Sequence, residues 1–328
     1  MDAARLTGRW QELSFESRAL KGNPLGDPAT RPVYVWTPPS YDEGDRRYPC
    51  VFILQGFTGT APAWFNIRPF QRSIPEQIDA AAPEAIVVLV DAFTAIGGSQ
   101  YIDSPAIGNY HTYLCGDLVP WIDSTFRTNA RALHGHSSGG YGAMVNAMLR
   151  PDLFAGFATH AGDALFEDGY QHEFAEVARA LRDSYDGSYD RFWEDFRSGR
   201  QPLSKKTDHV LLNAWAMAAA YSGGELPFDV ETAELRDDVW AQWLAWDPVR
   251  MAREPRYAEA LRAMRVIWIG AGRSDEFHLD LGAAAFHREV VAAGVDESVV
   301  HFQLHDGGHF DTAWTVLAAL EHLVDRLT

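Results

Sequence analysis

The chain has 328 residues, of which 47% are hydrophobic and 22% charged, and its formal net charge is −17. This negative charge argues against nucleic acid as a partner, because nucleic-acid binding requires a basic surface. No apolar run approaches the roughly 18 residues that a membrane span needs. The two cysteines, Cys50 and Cys115, form no CxxC pair, so neither a disulfide framework nor a thiolate zinc site is indicated. The N-terminal residues lack the apolar core of a signal peptide, which makes the cytoplasm the expected compartment.

Short apolar runs recur along the chain, and most of them predict strands. The run "RPVYVWTPP" (31–39) alternates in the manner of a half-buried strand. The runs "YPCVFILQG" (48–56) and "AIVVLVDA" (85–92) are continuous, which is typical of parallel strands buried on both faces. Four later runs continue the series, at 130–137, 154–162, 265–272 and 299–307.

Segments with helical spacing lie between most of these strands. They include "YLCGDLVPWIDSTF", "YGAMVNAMLR", "LDLGAAAFHREVVAAG" and "TAWTVLAALEHLVDRL". This alternation predicts an α/β fold with a doubly wound, mostly parallel sheet and helices on both faces. Ligands bind such sheets beyond the carboxyl ends of the strands, so functional residues are expected just after each strand.

Residues 163–262 interrupt the alternation, because they contain helical patterns but no convincing buried strand. We interpret them as a helical cap inserted into a core formed by residues 1–162 and 263–328. Tryptophan is frequent in this segment. These side chains either contribute to an apolar pocket or pack the cap onto the core: Trp193, Trp215, Trp240, Trp243 and Trp246. The segment holds 20 acidic and 12 basic residues, so a highly anionic ester is not favoured.

The motif "GHSSG" (135–139) fits G-x-S-x-G with Ser137 at its centre. It follows a predicted strand and begins a predicted helix, which is the context of a nucleophile on a sharp, strained turn. Ser138 does not fit the central place, because His136 would then occupy a required glycine position. The alternative is a glycine-rich turn that packs helix against sheet without chemistry.

A nucleophilic serine needs a base and an acid, which in this fold class follow in the order Ser, Asp or Glu, His. Asp275 comes just after the predicted strand 265–272, and His309 lies in a glycine loop after the last strand. Glu276 and Asp163 remain alternative acids. The run "HDGGHFD" resembles a metal-ligand cluster only by composition, so neither a metal nor another cofactor is expected.

Two further sets of residues are expected around this serine. The backbone N–H groups of Phe57, in the loop "LQGFTG" (54–59), and of Ser138 would form an oxyanion hole. Trp64 and Phe93, near strand ends, suggest an apolar acyl or aromatic pocket, and Asp163 is a further substrate-binding candidate.

With these motifs in order, the chain resembles the esterase D-like putative esterase family of the α/β-hydrolase superfamily. The likeness rests on the oxyanion loop, "GHSSGGYGAM", "GAGRSDEF" and "DGGHFDTAW". It implies an α/β-hydrolase fold with Ser137 as nucleophile, His309 as base and Asp275 as acid. Gln55 departs from the histidine that many members carry before the oxyanion glycine.

The resulting hypothesis is a serine hydrolase that cleaves small-molecule carboxylic esters through an acyl-enzyme intermediate, with no nucleic-acid or membrane partner. The alternatives are a thioesterase or acyltransferase using the same residues, and a catalytically silent binding module. The sequence leaves open whether the chain forms a homo-oligomer.

Overall fold

The computed structural model describes residues 9–66, 70, 72–311 and 313–328. Within them the strands are β1 (Trp10–Glu16), β2 (Thr30–Trp36), β3 (Tyr48–Leu54), β4 (Ile86–Val90), β5 (Asp103–Ser104), β6 (Gly108–Asn109), β7 (Thr128–His136), β8 (Gly156–His160), β9 (Val266–Gly272) and β10 (Val300–His305). Eight of them form one sheet in the order β1-β2-β4-β3-β7-β8-β9-β10. The strands β5 and β6 pair separately as a short antiparallel ribbon.

The α-helices of the described residues are α1 (Ile74–Ala81), α2 (Tyr110–Thr112), α3 (Val119–Thr125), α4 (Ser138–Leu149), α5 (Phe166–Gly169), α6 (Phe174–Tyr185), α7 (Tyr189–Phe196), α8 (Asp208–Ser222), α9 (Asp237–Leu244), α10 (Pro248–Met251), α11 (Pro255–Arg262), α12 (Leu279–Ala292) and α13 (Ala313–Leu327). A π-helical stretch, Tyr113–Leu118, joins α2 to α3. Short 3₁₀ helices occupy Pro39–Glu43, Ala61–Phe65, Gln171–Glu173 and Glu297–Val299.

The sheet is mostly parallel, as the continuous apolar runs predict. From β4 through β10 every neighbouring pair is parallel, and every side chain of β3, β4, β8 and β9 is buried. The antiparallel pairs of this eight-stranded sheet are β1–β2 and β2–β4, at one edge. The apolar pattern of β1 is too weak to predict a strand, because most of its side chains are exposed.

Helices cover both faces of this sheet and create two cores. The larger core includes apolar side chains of α3, α4 and α12, and the smaller one lies against α1 and α13. This two-sided arrangement confirms the predicted doubly wound α/β fold. No helix in the described ranges is both long and apolar enough to cross a membrane.

The segment between β8 and β9 holds seven helices, α5 to α11, and within its described residues no strand of the main sheet. It shares the larger core with α4: the ring centroids of Tyr141 and Tyr221 are 5.7 Å apart, and the Tyr141 hydroxyl donates to the Trp246 carbonyl at 3.2 Å. The five tryptophans of this segment pack into the same core, as the packing alternative predicts.

Buried histidines lie side by side in the middle of the sheet. The rings of His134 on β7 and His160 on β8 are 5.1 Å apart, and each side chain is only 1% exposed. None of their ring nitrogens has a hydrogen-bond partner among the described residues. Burial, and to a smaller degree the charge of His136, lowers the pKa of His134 to about 3. Burial and the neighbouring histidines His134, His136, His305 and His301 hold the pKa of His160 well below its usual value.

These histidines predict that the protein loses stability in mild acid. In the unfolded chain a histidine binds a proton below about pH 6.5, whereas buried His134 stays neutral, so the unfolded state is favoured as pH falls from about 6.5 towards 3. The free energy of unfolding is expected to fall between about pH 7.5 and about pH 5. In the variant His134→Leu this fall is expected to be about 2 kcal/mol smaller than in the wild type. Urea denaturation at both pH values measures this loss. The control is exposed His278→Gln, and an equal loss in His134→Leu and wild type would contradict the prediction.

Candidate active site

Ser137 lies on the sharp turn between β7 and α4. Its backbone has φ 57° and ψ −129°, which is a strained conformation for a residue with a side chain. Its N–H donates to the His160 carbonyl at 2.9 Å, and its own carbonyl accepts from the Tyr141 N–H at 2.9 Å. The turn is therefore anchored to the neighbouring strand and to the first turn of the helix.

The flanking glycines are required by close backbone contacts. A Cβ on Gly135 would lie 2.2 Å from the carbonyl group of Gly139, and a Cβ on Gly139 would lie 2.2 Å from the Leu54 carbonyl oxygen. No side chain fits at either position without moving the backbone. The spacing of the G-x-S-x-G motif thus follows from the packing of α4 against the ends of β3 and β7.

A cavity of about 280 Å³ opens beside Ser137. His309 also lines it, so the structure brings these two predicted residues to one space. The residues of its wall are Gly56, Phe57, Thr58, His136, Ser137, Ser138, Asp163, Gly169, His209, Asn213, Phe277, Leu279, His309 and Phe310.

His309 and Asp275 form a buried hydrogen-bonded pair behind this wall. The distance from His309 Nδ1 to Asp275 Oδ2 is 2.8 Å. Asp275 Oδ1 accepts from the Phe277 N–H at 2.9 Å and from the Leu279 N–H at 3.4 Å. Burial raises the pKa of Asp275, but its hydrogen bond and charge interaction with His309, together with these two N–H groups, outweigh burial and hold the pKa below its usual value. The carboxylate is thus the stable form.

Two further side chains hold the backbone of His309 rather than its ring. Glu276 Oε2 accepts from the His309 N–H at 2.6 Å, and the His136 ring nitrogen Nε2 donates to the His309 carbonyl at 2.9 Å. Burial, followed by the charge of His309, lowers the pKa of His136 to about 4, so its ring is neutral at neutral pH. Of the two adjacent acids, Asp275 is the one that contacts the imidazole.

Phe57, in the loop after β3, and Ser138, in the first turn of α4, both line the cavity. Among the described residues, the Phe57 N–H has no acceptor, whereas the neighbouring Thr58 N–H donates to the Gly97 carbonyl at 2.9 Å. The Ser138 N–H belongs to the first turn of α4, where backbone N–H groups lack intrahelical partners. Gly56 also packs closely against the turn, because a Cβ there would lie 3.3 Å from the His136 carbonyl oxygen, which is tighter than most Cβ contacts.

Of the three predicted substrate-binding residues, the structure places one at the cavity and two elsewhere. Asp163 lines the cavity and is 6% exposed. Trp64 lies in the 3₁₀ helix Ala61–Phe65 and packs against the smaller core, and Phe93 is 38% exposed, with its carbonyl bound to Arg31. Neither Trp64 nor Phe93 is part of the cavity wall, so the structure does not bring these two to the site.

Sequence reasoning missed several residues of the wall. Phe277, Leu279 and Phe310 adjoin the predicted acid and histidine, so their positions in the chain could have indicated them. His209 and Asn213 come from α8, one turn apart, and no motif marks them. For metals, the described residues contain no group of three or more His, Cys, Asp or Glu side chains able to hold an ion.

The comparison with protein families identifies the chain. The model of the Esterase family, described as "Putative esterase", matches residues 28–322. The chain belongs to this family. Its membership confirms the predicted family and supports the predicted ester hydrolase activity.

Similar proteins agree with this assignment. Esterase Rv1288 of Mycobacterium tuberculosis (strain ATCC 25618 / H37Rv) is 31% identical over 156 residues, a match that covers 46% of this chain and 31% of the relative. The chain thus spans about a third of the length of that relative. Among solved structures, a ferulic acid esterase aligns with a TM-score of 0.58 at 18% identity, covering 98% of each chain. An S-formylglutathione hydrolase from Agrobacterium tumefaciens aligns with a TM-score of 0.58 at 17% identity, over 97% of this chain and 95% of the other. These alignments confirm the α/β-hydrolase fold.

The hydrogen bond from the His309 N–H to Glu276 predicts a positioning effect. The change Glu276→Ala removes the acceptor, and a small displacement of the imidazole is expected to lower kcat for ester hydrolysis by about tenfold to a hundredfold with little change in KM. Glu276→Gln keeps an oxygen acceptor and is expected to restore most of kcat. Steady-state kinetics with p-nitrophenyl acetate measure both variants, with exposed Glu297→Ala as control. Wild-type kcat in Glu276→Ala would contradict the prediction.

Proposed function

We propose that this member of the Esterase family is a serine hydrolase that cleaves small-molecule carboxylic esters through an acyl-enzyme intermediate. The observation that carries the proposal is that strained Ser137 and the hydrogen-bonded His309–Asp275 pair meet at one cavity. This combination matches the requirements of nucleophile, base and acid in acyl transfer.

In the first step, Ser137 Oγ attacks the ester carbonyl and His309 takes the hydroxyl proton. Because His309 Nδ1 is bound to Asp275, the proton goes to Nε2. The imidazolium that forms is stabilised by the Asp275 carboxylate, whose lowered pKa keeps it charged. His309 then passes the proton to the departing alcohol, which leaves the acyl group on Ser137.

In both steps the carbonyl oxygen becomes an oxyanion, for which we propose the N–H groups of Phe57 and Ser138 as donors. The Ser138 N–H also lies at the N-terminal end of α4, where the helix dipole favours negative charge. In the second step, His309 activates a water molecule that attacks the acyl-enzyme, and the acid product leaves.

We also propose that residues 163–262 form a cap over the reaction site. His209 and Asn213 from α8 share the cavity wall with Ser137, which supports this role. Hydrolysis of a thioester, or transfer of the acyl group to an acceptor other than water, would use the same residues, but no feature of the cavity favours either reaction. The cytoplasmic location remains a prediction from the sequence.

Labelling with a fluorophosphonate probe tests the nucleophile. The probe is expected to label the wild type and Ser138→Ala, which keeps every backbone N–H, but not Ser137→Ala. Ser137→Ala is also expected to abolish p-nitrophenyl acetate hydrolysis while circular dichroism shows a folded protein, because the attacking oxygen is gone. Labelling of Ser137→Ala at the wild-type level would exclude Ser137 as nucleophile. Absence of labelling in the wild type would favour a silent binding module.

The acid of the proposed triad has a separate test. The change Asp275→Asn is expected to lower kcat by about 10⁴, because the amide favours the wrong tautomer of His309 and does not stabilise the imidazolium. Asp280→Asn, which alters a carboxylate in the first turn of α12, is the matched control and should retain wild-type kcat. If Asp275→Asn behaved like Asp280→Asn, Asp275 would not be the acid.

A further inference from the structure

The cavity wall contains a buried carboxylate, Asp163, that has no lysine or arginine partner among the described residues. Asp163 Oδ2 accepts from Gln100 Nε2 at 2.9 Å and from the Ser138 hydroxyl at 3.4 Å, and both donors are neutral. In the described part of the chain no lysine or arginine forms an ion pair with Asp163, and none lines the cavity. Burial raises the pKa of Asp163, against the opposing effects of Gln100, Tyr170, His309 and Ser138. Burying a carboxylate without a cation costs free energy, so the charged form of Asp163 destabilises the folded protein at this position.

The donors around Asp163 are fixed in place. Gln100 Nε2 also contacts the Tyr221 hydroxyl at 2.9 Å and the Tyr170 hydroxyl at 3.4 Å, and these two hydroxyls are 3.3 Å apart. Gln100 and Tyr101 have φ values of 53° and 54°, in the left-handed region that residues with side chains rarely adopt. Strain of this kind persists where the surrounding structure enforces it, often at ligand sites.

A second acceptor faces the same cavity from α8. The Asn213 side-chain amide donates from Nδ2 to Glu173 Oε2 at 3.3 Å, so its Oδ1 is the end left to accept a hydrogen bond. Among the described residues, no donor is bound to Asn213 Oδ1. The polar part of the wall therefore offers a carboxylate and an amide oxygen, and both accept hydrogen bonds.

We propose that Asp163 and Asn213 form a subsite for a primary ammonium group carried by the substrate, so that the enzyme prefers cationic esters. The proposal rests on the proposed ester hydrolysis at Ser137. An ammonium donates three hydrogen bonds and carries the charge that Asp163 lacks. Phe57, Phe277 and Phe310 provide the apolar part of the wall. Since a cavity of roughly 150 Å³ holds benzene, the cavity of about 280 Å³ accommodates an aryl ring with a short amine arm.

Competitive inhibition of p-nitrophenyl acetate hydrolysis tests this subsite without assuming which half of the ester occupies it. The three probes are benzylammonium, benzyl alcohol and phenylacetate, of similar size but with a positive, neutral or negative group. At neutral pH the inhibition constant of benzylammonium is expected to be at least about tenfold lower than that of benzyl alcohol, because a hydrogen bond between charged groups is stronger. Phenylacetate should bind most weakly. Equal constants for the three probes would overturn the proposal.

Variants show whether Asp163 causes the preference. Asp163→Asn keeps the shape but removes the charge, and it is expected to reduce the preference for benzylammonium over benzyl alcohol to within about twofold. Asp168→Asn, an exposed acid of the same segment outside the cavity wall, should keep the wild-type preference. Asn213→Asp adds a second negative charge and should strengthen the preference, which keeps the test decisive where Asp163→Asn does not fold. An unchanged preference in folded Asp163→Asn, or in Asn213→Asp, would refute the subsite.

Titration calorimetry with the same probes measures binding without turnover. If Ser137 is neither labelled nor active but benzylammonium binds selectively and Asp163→Asn abolishes that binding, the proposed reaction fails and the subsite stands. If p-nitrophenyl acetate is hydrolysed at Ser137 but the probes bind equally, only the subsite fails.

Discussion

The site depends on the close approach of α4 to the carboxyl ends of β3 and β7. Gly139 lies against the Leu54 carbonyl and Gly135 against Gly139, at distances that admit no Cβ. This contact forces Ser137 into its left-handed conformation, which costs about 1–3 kcal/mol. The cost is offset by the N–H bond to His160 and by the regular first turn of α4. The strained backbone of this serine is therefore a consequence of the packing of α4 against the strand ends.

The parallel register of the sheet brings the remaining groups to the same edge. β3 and β7 are neighbours, so the loop after Leu54 lies next to Ser137. β9 pairs with β10 such that Gly272 is opposite His305, and the loops beyond them carry Asp275 and His309. A Cβ on Gly272 would be 2.5 Å from the Gly307 carbonyl oxygen, so these two loops are also in close backbone contact. The acid and the histidine thus meet because two adjacent strands end together.

This dependence on strand ends explains how much of the protein could be predicted from its sequence. The buried strands have continuous apolar runs, and parallel strands end at one edge, so Ser137, Asp275 and His309 could be located by their place after a strand. Such reasoning does not determine which face of the sheet a side chain takes in a loop. Trp64 turns to the α1 and α13 side, and Phe93 is exposed, although Phe93 follows β4 as closely as Phe57 follows β3. Edge strand β1 has too few buried residues to leave a pattern.

The wall contributed by α8 depends on long-range packing, which is why no local motif indicates it. Tyr221 near the end of α8 contacts Tyr141 of α4, and the Ala219 carbonyl accepts from the Ser104 hydroxyl. At the other end of the cavity, the His209 ring stacks on Phe277, with centroids 5.6 Å apart. The proposed cap thus contacts the core through the buried Tyr141–Tyr221 pair and through the more exposed His209–Phe277 pair. Separating the buried Tyr141–Tyr221 pair would expose apolar surface, so this contact stabilises the position of α8 and with it the wall that α8 contributes to the cavity.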